Sequence, residues 1–177
     1  ILDLVGGTIQ VQSETDKGTK IDVKFIVPLA SEEQIRELEQ KQQELKAKDK
    51  IKLQGRILLA EDNSINTEIA LRLLRKFGLE VDVAQNGLEA VNLFKNAAKD
   101  TYNVILMDIQ MPVMSGYEAT ERIRALERSD AKEIPIIAMT ADVFVDAVQK
   151  SAAAGMNGHV PKPINKQFLY DTLAQYL

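Results

Sequence analysis

Short apolar runs alternate with amphipathic segments along the chain from Gly55 onward. Each run is bounded by turn-forming residues, which indicates a strand, and the intervening segments carry apolar residues at helical spacing. The predicted strands cover 56–60, 79–84, 104–108, 134–139 and 159–161, and the predicted helices cover about 64–77, 88–98, 116–126, 143–154 and 165–176. Strands that alternate with helices predict an α/β fold with a parallel sheet and right-handed crossovers.

A different pattern occupies residues 1–29. Residues 8–13 and 21–27 alternate apolar and polar side chains, with turn-forming residues between them. This arrangement predicts a β-hairpin with one apolar face. Because an isolated hairpin is only marginally stable in water, we expect that face to pack on an upstream domain, on the rest of this chain or on a second copy.

Residues 31–49 are rich in Glu, Gln, Lys and Ala, all good helix formers. They predict a solvated linker helix inside a linker of residues 30–54. A few apolar residues fall at heptad-like spacing, but Gln42 interrupts the seam. A coiled coil is therefore the weaker interpretation, since it needs a longer apolar repeat.

Composition excludes several kinds of site. The chain has 177 residues, no cysteine and one histidine, which removes disulfides, thiolate metal sites and multi-histidine zinc sites. A net charge of −4 argues against non-specific nucleic-acid binding. No apolar stretch is long enough to span a bilayer. We therefore expect this chain to contact neither nucleic acid nor membrane, and its start at Ile1 reads as the interior of a longer protein.

Asp108 directly follows an apolar run, and Pro112 stops the strand close to it. The carboxylate is therefore expected at the carboxyl end of a central strand, where open α/β sheets bind ligands. Taken alone, this aspartate is explained equally well as a reactive group and as a helix N-cap or solvated strand-end residue.

Polar side chains also follow the other strands. Glu61 and Asp62 follow the first strand, Thr140 ends the fourth and Lys162 follows the fifth. Parallel strands end at one edge of a sheet, so we expect these side chains to converge on Asp108. Clustered carboxylates raise one another's pKa, and a hard cation such as Mg²⁺ suits them. The neighbouring ammonium and hydroxyl favour a phosphoryl reactant, which an aspartate can accept.

Residues 55–177 resemble the receiver domain of two-component response regulators. The motifs that carry this resemblance, in order, are Leu59-Ala60-Glu61-Asp62-Asn63, Met107-Asp108-Ile109-Gln110-Met111-Pro112-Val113-Met114-Ser115-Gly116, Ile137-Ala138-Met139-Thr140-Ala141 and Lys162-Pro163. Each motif alone is weak, but their order and spacing together are highly specific. The resemblance implies a flavodoxin-like (βα)5 fold, a doubly wound parallel sheet of strand order 2-1-3-4-5.

The same resemblance implies a phosphoacceptor and a metal site. Asp108 would accept the phosphoryl group, with Mg²⁺ as the cofactor. Asp62, Asp108 and the main-chain carbonyl of Gln110 would be the metal ligands. Glu61 would complete the acidic pocket, bound to the metal through water.

Further roles follow from the resemblance for residues on the last two strands. Thr140 and Lys162 would contact the phosphoryl group, and the bond between Lys162 and Pro163 would be cis. Thr140 would also act in switching with the position three residues before the lysine. That position usually holds Tyr or Phe and here holds His159. A switching imidazole would make the output mildly pH-sensitive, but a surface histidine without a switching role is the favoured interpretation.

Residues 1–29 resemble, with less specificity, the C-terminal tail of the ATP-binding domain of a histidine kinase. The matching residues are Leu4-Val5-Gly6-Gly7-Thr8-Ile9, Lys17-Gly18-Thr19 and Pro28-Leu29. The glycine-rich nucleotide lid of that family is absent from this chain, so the chain is not expected to bind ATP or to phosphorylate a histidine. ATPase tail, linker helix and receiver follow one another in hybrid sensor histidine kinases, and the resemblance implies such a parent kinase.

This resemblance also implies partners and a location. The phosphodonor would be a histidine kinase domain, in cis or in trans, and the next acceptor a histidine phosphotransfer protein. The signal would leave through the face formed by the receiver's fourth helix, fifth strand and fifth helix. A homodimer would use that face or the N-terminal hairpin. The expected location is cytoplasmic, with any membrane anchor of the parent upstream.

Other function classes fit the residues less well. A haloacid-dehalogenase-type phosphatase needs a second acid two residues after the aspartate, where this chain has Gln110. A dinucleotide-binding domain needs a glycine-rich turn after the first strand, where Glu61 and Asp62 stand. The main alternative is a receiver-like binding module that regulates a partner without phosphotransfer. Such a module would lack the acid pair or the lysine, and both are present.

Overall fold

The computed structural model places the chain in two compact units, residues 1–48 and 49–177. It describes residues 8–14, 18–24, 31, 36, 52–141 and 145–177, with backbone alone for 145–148. The predicted linker helix lies outside the described residues, except for Ser31 and a helical Arg36.

The described part of the first unit is an antiparallel hairpin of strands β1 (Thr8–Glu14) and β2 (Gly18–Lys24). Its register pairs Ile9 with Val23 and Val11 with Ile21. Cross-strand partners lie on the same side of a sheet, so these side chains form one apolar face. They are exposed by 46% to 59%. The predicted hairpin with one apolar face is therefore present.

The second unit is built on a five-stranded parallel sheet. Its strands are β3 (Arg56–Ala60), β4 (Glu80–Ala84), β5 (Val104–Asp108), β6 (Ile136–Thr140) and β7 (Gly158–Pro161). They lie in the order β4-β3-β5-β6-β7, which is the predicted order 2-1-3-4-5. The strands begin within two residues of their predicted positions. Because β5 is the central strand, Asp108 at its carboxyl end lies at the middle of the carboxyl edge of the sheet.

Six helices connect these strands or follow them in the described part of the unit. They are α1 (Ser64–Phe77), α2 (Gly87–Asn96), α3 (Gly116–Arg124), α4 (Ser129–Glu133), α5 (Val145–Ala153) and α6 (Lys166–Leu173). Five of them match predicted helices: α1 ends at the predicted residue, and the other four end one to three residues earlier than expected.

The short helix α4 was missed by the sequence pattern, because five residues are too few to show a helical period. Tertiary contacts hold it. The guanidinium of Arg128, at its N-cap, donates to both carboxylate oxygens of Asp130 at 2.7 and 2.6 Å. It also donates to the carbonyls of Phe94 and Ala97, at 2.8 and 3.1 Å, where α2 ends. The helix therefore depends on a partner far away in the chain.

Two apolar clusters cover the two faces of the sheet. Alternate residues of each central strand enter opposite clusters: Ile105 packs beside Phe94 of α2, and Leu106 packs beside Leu74 of α1. All five residues of β5 are buried. A strand buried on both faces reads as a continuous apolar run, and this explains why the run before Asp108 contains no polar residue.

The start of α1 is fixed directly behind the first strand end. The side chain of Asn63 accepts hydrogen bonds from the backbone N–H groups of Ile65 and Asn66, at 2.9 and 3.2 Å. This N-cap satisfies two donors that would otherwise lack partners. The helix ends at Gly78, whose φ of 97° is a left-handed conformation that favours glycine. The cap therefore places the first turn of α1 beside Glu61 and Asp62.

Candidate functional site

The loops after β3, β5, β6 and β7 form one pocket at the carboxyl edge of the sheet. Its volume is about 590 Å³. The predicted site residues that line it are Glu61, Asp62, Asp108, Gln110, Thr140 and Lys162. Four strand ends that are far apart in sequence therefore contribute to a single site, as the parallel topology requires.

Asp108 lies at the floor of this pocket and is 5% exposed. Its Oδ2 atom is 2.6 Å from Lys162 Nζ, and its Oδ1 atom accepts a hydrogen bond of 3.3 Å from the backbone N–H of Gln110. Burial raises the pKa of the Asp108 carboxyl, Lys162 opposes that shift, and the nearby charge of Glu61 adds to it. The net direction is upward.

Glu61 is more deeply buried than Asp108, with 1% exposure. Its Oε1 atom accepts hydrogen bonds from Asn66 Nδ2 at 2.9 Å and from the backbone N–H of Asn63 at 3.4 Å. Its Oε2 atom makes no hydrogen bond of normal geometry with the described residues. Lys162 Nζ nevertheless lies 2.7 Å from it as an ion pair.

Lys162 thus serves two buried carboxylates at once. Burial lowers the pKa of its ammonium, but the hydrogen bonds and charges of Asp108 and Glu61 outweigh burial, so the pKa is raised. Burial is the main cause that raises the pKa of Asp108, whereas the neighbouring carboxylates of Asp108 and Glu61 raise the pKa of Lys162. Both groups therefore hold their protons more tightly than usual.

The acidic residues of the pocket suit a hard divalent cation. Glu61, Asp62 and Asp108 each offer a carboxylate oxygen, and these oxygens lie within 4.8 Å of one another. A single ammonium, that of Lys162, is shared between Glu61 and Asp108, so the excess negative charge of the pocket favours an additional cation. Oxygen donors alone, at the end of a sheet, are the ligands that Mg²⁺ accepts.

The remaining predicted residues fall in two places. Thr140 ends β6 and lines the pocket, and its carbonyl accepts a hydrogen bond of 2.8 Å from the Lys162 backbone N–H. The bond between Lys162 and Pro163 is cis, the geometry that the resemblance implies. His159 instead lines a separate cavity of about 180 Å³ that Met156 also lines. The structure therefore does not bring the imidazole into the acidic pocket.

A close backbone approach fixes the loop that follows Asp108. The Gly116 N–H donates to the Ile109 carbonyl at 3.0 Å. A Cβ added at Gly116 would collide with the carbonyl oxygen of Asp108, so the start of α3 rests directly on the aspartate's backbone. Val113 at the tip of this loop is 77% exposed and has a φ of 68°, a strained value for a β-branched residue.

Several residues that were not among the predicted site residues also line the pocket. They are Asn63, Asn66, Ile109, Tyr117, Ala141 and Lys150. Asn66 is the most informative of them, because its side chain bonds to Glu61. The available signal was a polar residue in the first turn of a helix that begins right after an acid pair.

Comparison with known proteins agrees with this geometry. Residues 57–174 match the response regulator receiver domain family, and the chain belongs to that family. It is similar to a hybrid signal transduction histidine kinase of Dictyostelium discoideum, with 32% identity over 171 residues. That alignment covers 96% of this chain and 10% of the kinase. The chain spans 6% to 19% of the lengths of the curated relatives it matches.

Solved structures show the same fold. The receiver domain of a Pseudomonas aeruginosa sensor histidine kinase, solved with a magnesium ion in its active-site cleft, is 35% identical and superposes with a TM-score of 0.63. The match covers 70% of this chain and 98% of that domain. A Saccharomyces cerevisiae response-regulator receiver, crystallised with a histidine phosphotransfer protein, is 30% identical with a TM-score of 0.64. It covers 72% of this chain and 91% of that one.

The receiver is therefore of the type found in the hybrid histidine kinases of two-component signalling. The described residues contain no helix with the length and apolar character needed to cross a bilayer.

Proposed function

We propose that the chain is a phosphorelay receiver in which Asp108 accepts a phosphoryl group from a phosphohistidine. The observation that carries this proposal is the shared ammonium of Lys162, 2.6 Å from Asp108 and 2.7 Å from Glu61. An ammonium beside a buried aspartate can offset the negative charge of a phosphoryl group that the aspartate accepts. The pKa of Asp108 is raised because burial disfavours its charged form, and such perturbed groups are common at functional sites.

In this mechanism Asp108 is the nucleophile. One carboxylate oxygen forms a bond to phosphorus as the phosphorus–nitrogen bond to the donor imidazole breaks, and the imidazole leaves with the electron pair. Lys162 exchanges its contact with the carboxylate for one with the new phosphoryl group. The Thr140 hydroxyl donates a hydrogen bond to a phosphoryl oxygen. These groups act by position and charge, which is how phosphoryl transfer is generally catalysed.

The residues fit a magnesium ion in this reaction. Asp62, Asp108 and the carbonyl of Gln110 would hold it, and Glu61 would bind through water. When bound, such an ion neutralises charge that develops on the transferring group. The relative with magnesium in its cleft supports this choice of metal.

The donor and the next acceptor are proposed to dock over α1. Ile65 and Ile69, four residues apart on this helix, are 69% and 45% exposed. They belong to the same helix that supplies Asn66 to the pocket, so an exposed apolar surface lies on a helix that lines the site. A helix that carries a phosphorylatable histidine is the partner that fits this surface. The yeast complex of a receiver with a histidine phosphotransfer protein supports that partner.

We further propose that the parent protein is a hybrid histidine kinase located in the cytoplasm, where ATP charges the donor histidine. Residues 1–29 would be the end of its ATP-binding domain and residues 30–54 its linker. The Dictyostelium relative, aligned over nearly the whole chain, supports this arrangement. Thr140 would act in switching, whereas His159 lines a separate cavity and is not proposed as a switch residue. The face formed by α5, β7 and α6 would pass the signal to a partner or to a second copy.

The proposal is tested with the full chain, Mg²⁺ and acetyl phosphate as a small phosphodonor. Intact mass spectrometry should detect one added phosphoryl group in the natural protein and none in Asp108→Asn. Asp100→Asn is the matched control, because Asp100 is exposed with a φ of 60° that asparagine tolerates. Full labelling of Asp108→Asn would refute the proposal. A natural protein that stays unlabelled, yet still binds its partner, would favour the binding module without phosphotransfer.

A further inference from the structure

Asn66 is a half-buried residue in the first turn of α1, and its side chain points into the acidic pocket. Its amide nitrogen donates a hydrogen bond of 2.9 Å to Oε1 of Glu61. The other donor to that oxygen, the backbone N–H of Asn63, is 3.4 Å away. The Asn66 amide therefore makes the shorter of the two hydrogen bonds to Oε1 of Glu61.

The two oxygens of Glu61 have different surroundings. Oε1 is tied to α1, whereas Oε2 faces Lys162 at 2.7 Å and is otherwise without a hydrogen bond to the described residues. Because the group is 1% exposed, water cannot replace a lost partner. The Asn66 bond therefore decides which oxygen is directed at the pocket and how the carboxylate plane is oriented.

The position of Asn66 is itself well defined. Its backbone N–H donates to the side chain of Asn63 at 3.2 Å, as part of the N-cap of α1. The neighbouring Thr67 hydroxyl donates to the Asn63 carbonyl at 3.0 Å. The amide of Asn66 is thus presented from a rigid helix start, which is what a group needs in order to orient another side chain.

We propose that Asn66 is a positioning residue that holds Glu61 in the orientation the cation site requires. This inference rests on the proposed function, since it concerns the same pocket. Groups that orient the ligands of a metal typically change its affinity by about 10- to 100-fold when removed. For a residue that acts through Glu61 rather than on the metal itself, we expect the lower end of that range.

The experiment measures Mg²⁺ affinity by isothermal titration calorimetry on the full chain. Asn66→Ala and Asn66→Leu both remove the donor, and leucine keeps the side chain's volume. Asn92→Ala is the matched control, because Asn92 is exposed on α2 away from the pocket. We expect the dissociation constant to rise about tenfold in both Asn66 variants and to stay unchanged in the control. Thermal melting without Mg²⁺ checks that each variant is folded.

A second readout separates positioning from general damage. At saturating Mg²⁺ the rate of labelling by acetyl phosphate should return to within about threefold of the natural rate, because the loss lies in cation affinity. Unchanged Mg²⁺ affinity in both folded Asn66 variants would overturn the inference, and so would a weakened affinity in Asn92→Ala. If the natural chain bound no Mg²⁺ and accepted no phosphoryl group, the proposed function itself would fail, which is a distinct result.

Discussion

Lys162 Nζ lies 2.6 Å from Asp108 Oδ2, so the reactive carboxylate is already paired before any reactant arrives. The same ammonium is 2.7 Å from Glu61. One cation between two buried carboxylates leaves a charge without compensation. The site is therefore electrostatically unfavourable on its own, and this condition has measurable consequences for stability.

Replacing Asp108 with asparagine should stabilise the fold in the absence of Mg²⁺. The change removes one of two carboxylates that compete for a single ammonium, and we expect the free energy of unfolding to rise by about 1 kcal/mol. Urea denaturation in a chelating buffer measures it, with Asp100→Asn as the neutral control. A clear loss of stability in Asp108→Asn would contradict this reasoning.

Replacing Lys162 with methionine should have the opposite effect. It leaves both carboxylates buried without their cation, and breaking a buried pair in this way costs about 3 kcal/mol. Added Mg²⁺ should restore part of that loss, because it supplies positive charge to the same oxygens. Urea denaturation with and without Mg²⁺ provides the test. Equal stability of Lys162→Met and the natural chain in chelating buffer would show that the ion pairs contribute nothing.

The pH dependence of stability should reveal the pairing of Asp130. Hydrogen bonds from Arg128 are the largest cause that lowers the pKa of this carboxyl from 3.8 to about 2. A lowered pKa means that the stabilisation is complete above the ordinary value and is lost as pH falls from 3.8 toward 2. The natural chain should have a higher free energy of unfolding than Asp130→Asn in urea denaturation, and this difference should decrease as the pH falls across that range. A constant difference between the two would contradict the assignment.

Gly116→Ala should damage both the fold and the site. The added methyl would collide with the carbonyl oxygen of Asp108, so α3 or the strand end must move. We expect a loss of about 2 kcal/mol in unfolding free energy and a large loss of labelling by acetyl phosphate. Gly158→Ala is the milder control, since its added Cβ would lie 3.3 Å from the flexible end of Ile137. Similar losses in both variants would argue against a specific contact.

The proposed docking surface on α1 should affect phosphoryl transfer from protein donors and not from small-molecule donors. Ile65→Lys combined with Ile69→Lys should slow transfer from a phosphorylated histidine phosphotransfer protein by about tenfold or more, since apolar anchors dominate such contacts. Labelling by acetyl phosphate should be unchanged, because that donor needs no docking surface. Leu177→Lys is the control, since Leu177 is apolar, is 38% exposed and lies beside Gly55 at the opposite edge of the sheet. An equal effect of this control on protein-to-protein transfer would place the docking surface elsewhere.

Much of the fold could be predicted from local patterns. The apolar run before Asp108 and the i, i+4 spacing in α1 depend on neighbours within a few residues, so the sequence reveals them directly. The parallel topology was enough to predict that Glu61, Asp62, Thr140 and Lys162 lie at one edge of the sheet, because parallel strands all end at the same edge. The misses were α4 and the role of Asn66. One depends on the long-range contacts of Arg128, and the other on the direction of a single side chain.

By itself the sequence determined the order of the elements, the identity of the strand-end residues and the chemistry they can support. Tertiary structure alone decided which of these groups share a partner. The distances from Lys162 to Asp108 and Glu61, and the contact of Gly116 with the aspartate's carbonyl, follow from strand register and loop closure. The physical reason is the sequence separation of the residues involved. Periodicity depends on residues close together in the chain, whereas charge pairing and close packing depend on residues that become neighbours only in the folded sheet.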